Sequence, residues 1–216
     1  MKRELLEIVV ASGNPHKVLE ISAIFAQEGL GEWVQFLSLS DVGGPFAEPN
    51  ESARTFQENA RIKALAYAAL THRMVLADDS GLQVDALDGE PGVDSAIWAG
   101  EQGTREQRDA RNNQKLMMAM QAVKRTDRQA RFVCCMCLAD VDGTIIAQTR
   151  GACEGFIAEA PMGDGGFGYD AYFLVGDKNI TSAQLSADEK NKVSHRGHAT
   201  RLLARELRAM VGVPTQ

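Results

Sequence analysis

The 216-residue chain carries 23 Lys and Arg against 29 Asp and Glu, a formal charge of -6, with 44% hydrophobic and 24% charged residues. That size and balance suit one globular core of mixed secondary structure, with room for a smaller lobe. The acidic sign argues against a protein that coats nucleic acid or lies on an anionic membrane, because both need a basic footprint. No stretch is apolar and long enough for a signal peptide or a membrane span, so a cytoplasmic protein is expected.

Ile8-Val9-Val10-Ala11 reads as a short strand that runs into Ser12-Gly13-Asn14-Pro15-His16-Lys17. The turn residues stop the strand, and Pro15 suits a first helical position. The helix that follows directs Val18, Leu19, Ile21, Ile24 and Phe25 toward a core and ends at Gly29. Its leading loop can offer backbone N–H groups and the Lys17 ammonium to phosphate oxygens; equally, Ser12 can cap the helix and Lys17 can face water. A second strand is predicted at 34–39, followed by a polar connection over 40–53 that is either a cover over a site or a plain surface loop. From Thr55 to Leu70 the pattern is helical, and Asn59 and Lys63 fall one turn apart, where either a ligand or solvent satisfies them.

Val75-Leu76-Ala77 reads as the end of a buried strand, followed at once by Asp78-Asp79-Ser80-Gly81. Adjacent carboxylates repel, and a cation or a polar ligand offsets that cost when they are half-buried. The stretch is therefore a candidate Mg2+ and water-activation site, or else a loop whose side chains cap backbone N–H groups. Next come a short strand at 82–87, a turn at 89–93 and a helix over 105–123 with Leu116, Met117, Met120 and Val123 on its apolar side. Strands at 130–139 and 144–154 join through Asp140-Val141-Asp142-Gly143, a hairpin signal that makes the sheet partly antiparallel. Cys134, Cys135, Cys137 and Cys153 read as buried thiols, with Cys134 and Cys135 on opposite faces.

Residues 161–170 place four glycines around Phe167 and Tyr169 and end at Asp170. Glycines beside an aromatic ring let the backbone approach a flat ligand, so Phe167 can stack on a base; a tight turn with both rings packed inward is the other reading. Lys190, Lys192, His195 and Arg196 gather before a terminal helix predicted at 199–210. No HExxH or serine-centred elbow is present.

Together these segments resemble the inosine triphosphate pyrophosphatase family, which acts on noncanonical purine nucleoside triphosphates. The resemblance rests on Ser12-Gly13-Asn14 with Lys17, Phe56-Gln57-Glu58-Asn59-Ala60 with Lys63, and Ala77-Asp78-Asp79-Ser80-Gly81-Leu82. It continues through Pro91-Gly92-Val93 with Ser95-Ala96, Gly166-Phe167-Gly168-Tyr169-Asp170, and Glu189-Lys190-Asn191 with Ser194-His195-Arg196-Gly197, in an order that spans nearly the whole chain. The resemblance implies an α/β, elongated mixed-sheet two-lobed fold with a central substrate cleft, one catalytic domain over 1–216, and a homodimer. It implies Mg2+-dependent hydrolysis of ITP, dITP and XTP to the monophosphate and pyrophosphate. Carried onto this chain, Asp79 is the proton acceptor and a metal ligand, and Glu51 the second metal ligand. Ser12, Gly13, Asn14, Pro15, His16, Lys17, Lys63 and Ser80 match triphosphate contacts. Phe167, Gly168, Tyr169, Asp170, Lys190, His195 and Arg196 match the base-recognition region.

Donors from His195 or Arg196 would reward the carbonyl at position 6 of hypoxanthine and xanthine and leave the amine of adenine unmatched. Three positions depart from the family pattern: Ile97-Trp98 replaces Arg-Tyr, Ala171 replaces Pro, and Gln184 replaces Glu. Two other readings are a pyrophosphatase for pyrimidine or other modified nucleotides, which lacks the Ser-His-Arg-Gly run, and a silent nucleotide-binding protein, which would lose Asp79 or the lysines.

Overall fold

The structure is a computed structural model that describes residues 5–12 and 15–213, with the backbone alone at Pro15 and His16. Six strands, β1 (Leu6–Val10), β2 (Val34–Ser38), β3 (Val75–Val84), β4 (Gln129–Ala139), β5 (Ile145–Ile157) and β6 (Phe173–Val175), form one sheet in the order β2-β1-β3-β4-β5-β6. β1 runs parallel to β2, with Leu6 opposite Val34, and parallel to β3, with Val9 opposite Val75. Parallel neighbours need long crossovers, and helices α1 (Pro15–Gln27) and α2 (Phe56–Thr71) lie in them. The β4–β5 hairpin closes where Asp140 N–H donates to Thr144 O at 2.8 Å, and β5 pairs antiparallel with β6. The fold is the mixed-sheet α/β class that the sequence implies.

The chain divides into two compact units. One comprises Met1–Asp79, Cys134–Gly151 and Arg196–Gln216. Its main core joins Ile8, Val10, Leu76, Met136 and Leu138 of the strands to Ile21 and Phe25 of α1 and to Leu203 and Leu207 of α5 (His195–Met210). Strand side chains alternate, so Val9, Val75 and Ala77 point to the other face and are fully buried there. The small Ala60, Ala64 and Ala68 line the buried side of α2. Thr55 caps that helix by accepting from Glu58 N–H, and residues 53–63 are thereby fixed in register.

The other unit comprises Ser80–Val133 and Ala152–His195. Leu82, Val84, Leu116, Met120, Ile157, Tyr169 and Phe173 form its core. Helix α3 (Arg105–Ala119) starts with a reciprocal cap between Thr104 and Gln107. Buried Arg128 donates to the carbonyls of Met120, Val123 and Ala158, which satisfies the end of that helix. A short helix, α4 (Ala187–Val193), follows a second such cap at Ser186 and Glu189.

Several expectations are corrected. β3 does not end at Ala77 but runs unbroken to Val84. The turn tendency of Asp-Asp-Ser-Gly yields because each carboxylate meets a lysine on its own side of the strand. α3 stops at Ala119 rather than at 123, and Arg128 takes up the carbonyl of its capping residue, Met120. α5 begins at His195, four residues before the predicted start, and Lys190 lies in α4. Leu19, expected in the core, is 67% exposed. All four cysteines are buried and unbridged, and Cys134 and Cys137, three apart in a strand, point to opposite faces.

Candidate active site

β3 sends its two adjacent acids to opposite sides. Asp78 accepts from Lys17 Nζ at 2.8 and 3.0 Å and from Arg196 Nη2 at 3.3 Å, and Arg196 also reaches Glu20 at 3.2 Å. The Asp78 side chain is 2% exposed. Burial alone would raise its pKa, but the charges of Lys17 and Arg196 outweigh it and hold the carboxyl well below the usual range. Asp78 is thus an ionised anchor for two cations at neutral pH. Cys134, with its thiol 4.0 Å from Asp78, is pushed up by burial and stays a thiol. The guanidinium that the resemblance grouped with the base is committed here to Asp78 and Glu20.

Asp79 has a different environment. Lys63 Nζ lies 3.3 Å from its Oδ1 and 2.7 Å from Glu51 Oε2, so one ammonium joins the two carboxylates. Asp79 Oδ2 is buried and has no hydrogen-bond partner. Burial raises the Asp79 pKa above the ordinary carboxylate value, and the Glu51 charge adds to that against Lys63. Lys63, in turn, stays charged because Asp79, Asp78 and Glu51 outweigh its burial. Two carboxylates and an orphaned oxygen suit a divalent cation that takes one or two protein oxygens and completes its shell from phosphate and water. A closed cage is absent: among the described residues no three His, Cys, Asp or Glu side chains converge.

Asn59 does not turn toward a ligand or solvent. It is buried and clamps Ala53, accepting from its N–H at 3.0 Å and donating to its carbonyl at 3.3 Å. The segment that carries Glu51 is thereby tied to α2, one turn from Lys63. Ser12 follows β1, with its N–H donating to Val10 O, and Ser80 follows Asp79 within β3. Gly13 and Asn14 lie outside the described residues, as do the side chains of Pro15 and His16.

In the other unit, Asp170 is buried and accepts from Phe167 N–H at 2.8 Å and from Lys190 Nζ at 2.6 Å. A Cβ at Gly166 would fall 2.2 Å from Asp170 Oδ2, and its φ of +75° is itself a glycine conformation, so the turn requires glycine there. The two aromatics diverge. Tyr169 packs inward and donates to Ser95 O at 2.9 Å, whereas Phe167 is 48% exposed, with Lys190 Nζ 5.3 Å and Arg105 Cζ 4.3 Å from its ring centre. Gly168 is held by Asp109 and Asn113. His195 stacks on Phe132 with ring centres 5.0 Å apart. Motif reading missed Arg105, Asp109 and Asn113, although their spacing of four on a helix was a visible signal.

The departures are accommodated locally. Gln184 accepts from Thr181 N–H at 2.9 Å, and Lys115 lies 4.2 Å over the Trp98 ring. Ala171 sits inside a short 3-10 turn, Asp170–Tyr172.

The sequence profile of the Ham1 family matches residues 8–206. The dITP/XTP pyrophosphatase of Geobacillus kaustophilus is 44% identical over 95% of this chain and 96% of its own length. That of Bacillus subtilis is 42% identical over 94% of this chain and 98% of its own. The solved Ham1 protein of Coxiella burnetii superposes with a TM-score of 0.82 at 37% identity, covering 95% of this chain and all of that one, at 100%. The Staphylococcus aureus Ham1 protein gives 0.80 at 37%, over 94% and 99%.

Proposed function

From the premise that this chain belongs to the Ham1 family, we infer that it hydrolyses ITP, dITP and XTP to the nucleoside monophosphate and pyrophosphate, removing deaminated purines from the nucleotide pool. The observation that carries the chemistry is Asp79: a half-buried carboxylate with one unpartnered oxygen, joined through Lys63 to Glu51.

Asp79 and Glu51 are the residues that would hold Mg2+, which supplies neutralisation of phosphate charge when bound. The unpartnered Asp79 Oδ2 orients a water molecule for attack on the α-phosphorus and accepts its proton, and the bond to the bridging oxygen of the pyrophosphate breaks. Lys63 lies beside Asp79 and, with Lys17, carries the charge that accumulates toward the leaving group. Asp78 holds Lys17 in place, so the two acids divide the work: one positions, the other reacts.

Phe167 offers the partly exposed ring on which a purine stacks, and Lys190, held by Asp170, lies over that ring. His195 and Arg196 remain the proposed donors to the carbonyl at position 6, the latter after exchanging a partner. The same reading takes the working form as a cytoplasmic homodimer; no helix among the described residues is long and apolar enough to cross a membrane.

Pyrophosphate release from ITP, XTP, dITP, GTP, ATP, dTTP and UTP, each with and without Mg2+, tests the whole. Rapid Mg2+-dependent cleavage of the inosine and xanthine nucleotides is expected. A preference for pyrimidines would overturn the base half, and cleavage of nothing would leave a nucleotide-binding protein.

A further inference from the structure

We propose that one face of α3, carrying Arg105, Asp109 and Asn113, is a specificity surface for the base: Arg105 contacts the purine stacked on Phe167, and Asp109 and Asn113 position that ring. The proposal rests on the reading of Phe167 as the base platform and extends it to residues outside the motifs.

The three side chains are four residues apart and so lie one above another along one side of the helix. The lower two grip a single residue of the glycine turn from both ends. Asp109 Oδ2 accepts from Gly168 N–H at 2.9 Å, and Asn113 Nδ2 donates to Gly168 O at 2.9 Å. One residue earlier, Phe167 N–H donates to Asp170 Oδ2 at 2.8 Å. The backbone around Phe167 is therefore fixed at successive residues, while Phe167 itself is 48% exposed. A large, partly exposed aromatic ring on a pinned backbone is a surface shaped for a flat partner.

Arg105 marks where that partner goes. It is the first residue of α3, placed by the reciprocal cap of Thr104 and Gln107, and its guanidinium carbon lies 4.3 Å from the ring centre. A guanidinium is planar and stacks on an aromatic face much as a base does. When a purine takes the ring, Arg105 moves on its flexible stem to the outer side of the base. There its fork of N–H donors reaches a carbonyl oxygen and is ill matched to an amine. Lys190, the other cation at the ring, is held by Asp170 at 2.6 Å and has less freedom to follow.

The test is steady-state pyrophosphate release from ITP and ATP with Mg2+, for Arg105→Ala, Arg105→Lys, Phe167→Ala, Asn113→Ala and the doubles with Phe167→Ala. Arg105→Ala should raise the KM for ITP by about fivefold to tenfold, the scale of one stacked cation contact, and leave kcat within about twofold. It should also narrow the ITP-to-ATP preference. Arg105→Lys should recover only part, because it keeps the charge and loses the planar fork. Neither Arg105→Ala nor Asn113→Ala should add to the defect of Phe167→Ala by more than about twofold. If Phe167→Ala raises KM and Arg105→Ala does not, or lowers it, the Arg105 contact is overturned while the platform stands. If neither changes KM, the platform reading fails and takes this proposal with it. Effects that add in full would put Arg105 and Asn113 to work somewhere other than at the ring, and would also overturn it.

Discussion

Asp78 and Asp79 share a residue type and a peptide bond, yet their surroundings give them opposite energetics. Asp78 is matched to Lys17 and Arg196, so its carboxylate stabilises the fold. Its folded pKa is depressed, so that stability is fully present above the unfolded value of about 3.9 and is lost as pH falls below it. Asp78→Asn leaves the partly buried Lys17 without its anion and the buried Arg196 with Glu20 alone, and should lower the unfolding free energy by about 3 kcal/mol at pH 7, read by urea denaturation. The variant should also lose the part of the acid sensitivity that Asp78 supplies. Asp79 has a raised pKa, and its contribution to stability falls as pH rises through that value. Asp79→Asn should therefore leave metal-free stability at pH 7 equal or higher, while kcat with Mg2+ drops by about 10³-fold. Near-normal turnover in that variant would remove Asp79 from its role.

At the level of elements, the sheet edge depends on a close approach. A Cβ at Gly155 of β5 would lie 2.0 Å from Leu174 O and 2.7 Å from Phe173 Cζ, so no side chain fits where β5 meets β6. Gly155→Ala should destabilise by about 3 kcal/mol, at the upper end for overpacking, since the obstructing atom is backbone. A shift in the urea midpoint without a change in slope would agree, and an unchanged midpoint would show that β6 can slide away. α3 illustrates how a helix acts beyond its core face. Leu116 and Met120 are buried by periodicity, whereas Asn112 is buried because it donates to Ser95 O and accepts from Ala99 N–H. Tyr169 donates to the same Ser95 carbonyl, so the turn at 92–95 and the glycine turn are both held through one acceptor. Hydrophobic spacing foretells the first kind of burial and not the second.

For the molecule as a whole, sedimentation of the purified chain should give a particle of twice the 23.4 kDa chain mass; a monomer with full activity would show that each chain works alone. The sequence by itself determined the order of most strands and helices and the mixed sheet, because alternation, helical spacing and turn residues are local signals, and it pointed to the family through motifs that span nearly the whole chain. Even the long connection at 40–53 was bounded correctly by the strand before it and the cap at Thr55. Only the tertiary structure decided that β3 continues through its two acids, since partners 61 and 16 residues away, Lys17 and Lys63, take one each. It alone assigned Arg196 to Asp78 across 118 residues and turned Asn59 inward to hold the segment bearing Glu51. Charges and amides are satisfied by whatever the fold brings within about 3 Å, and that proximity between distant residues is written in no short stretch of the chain.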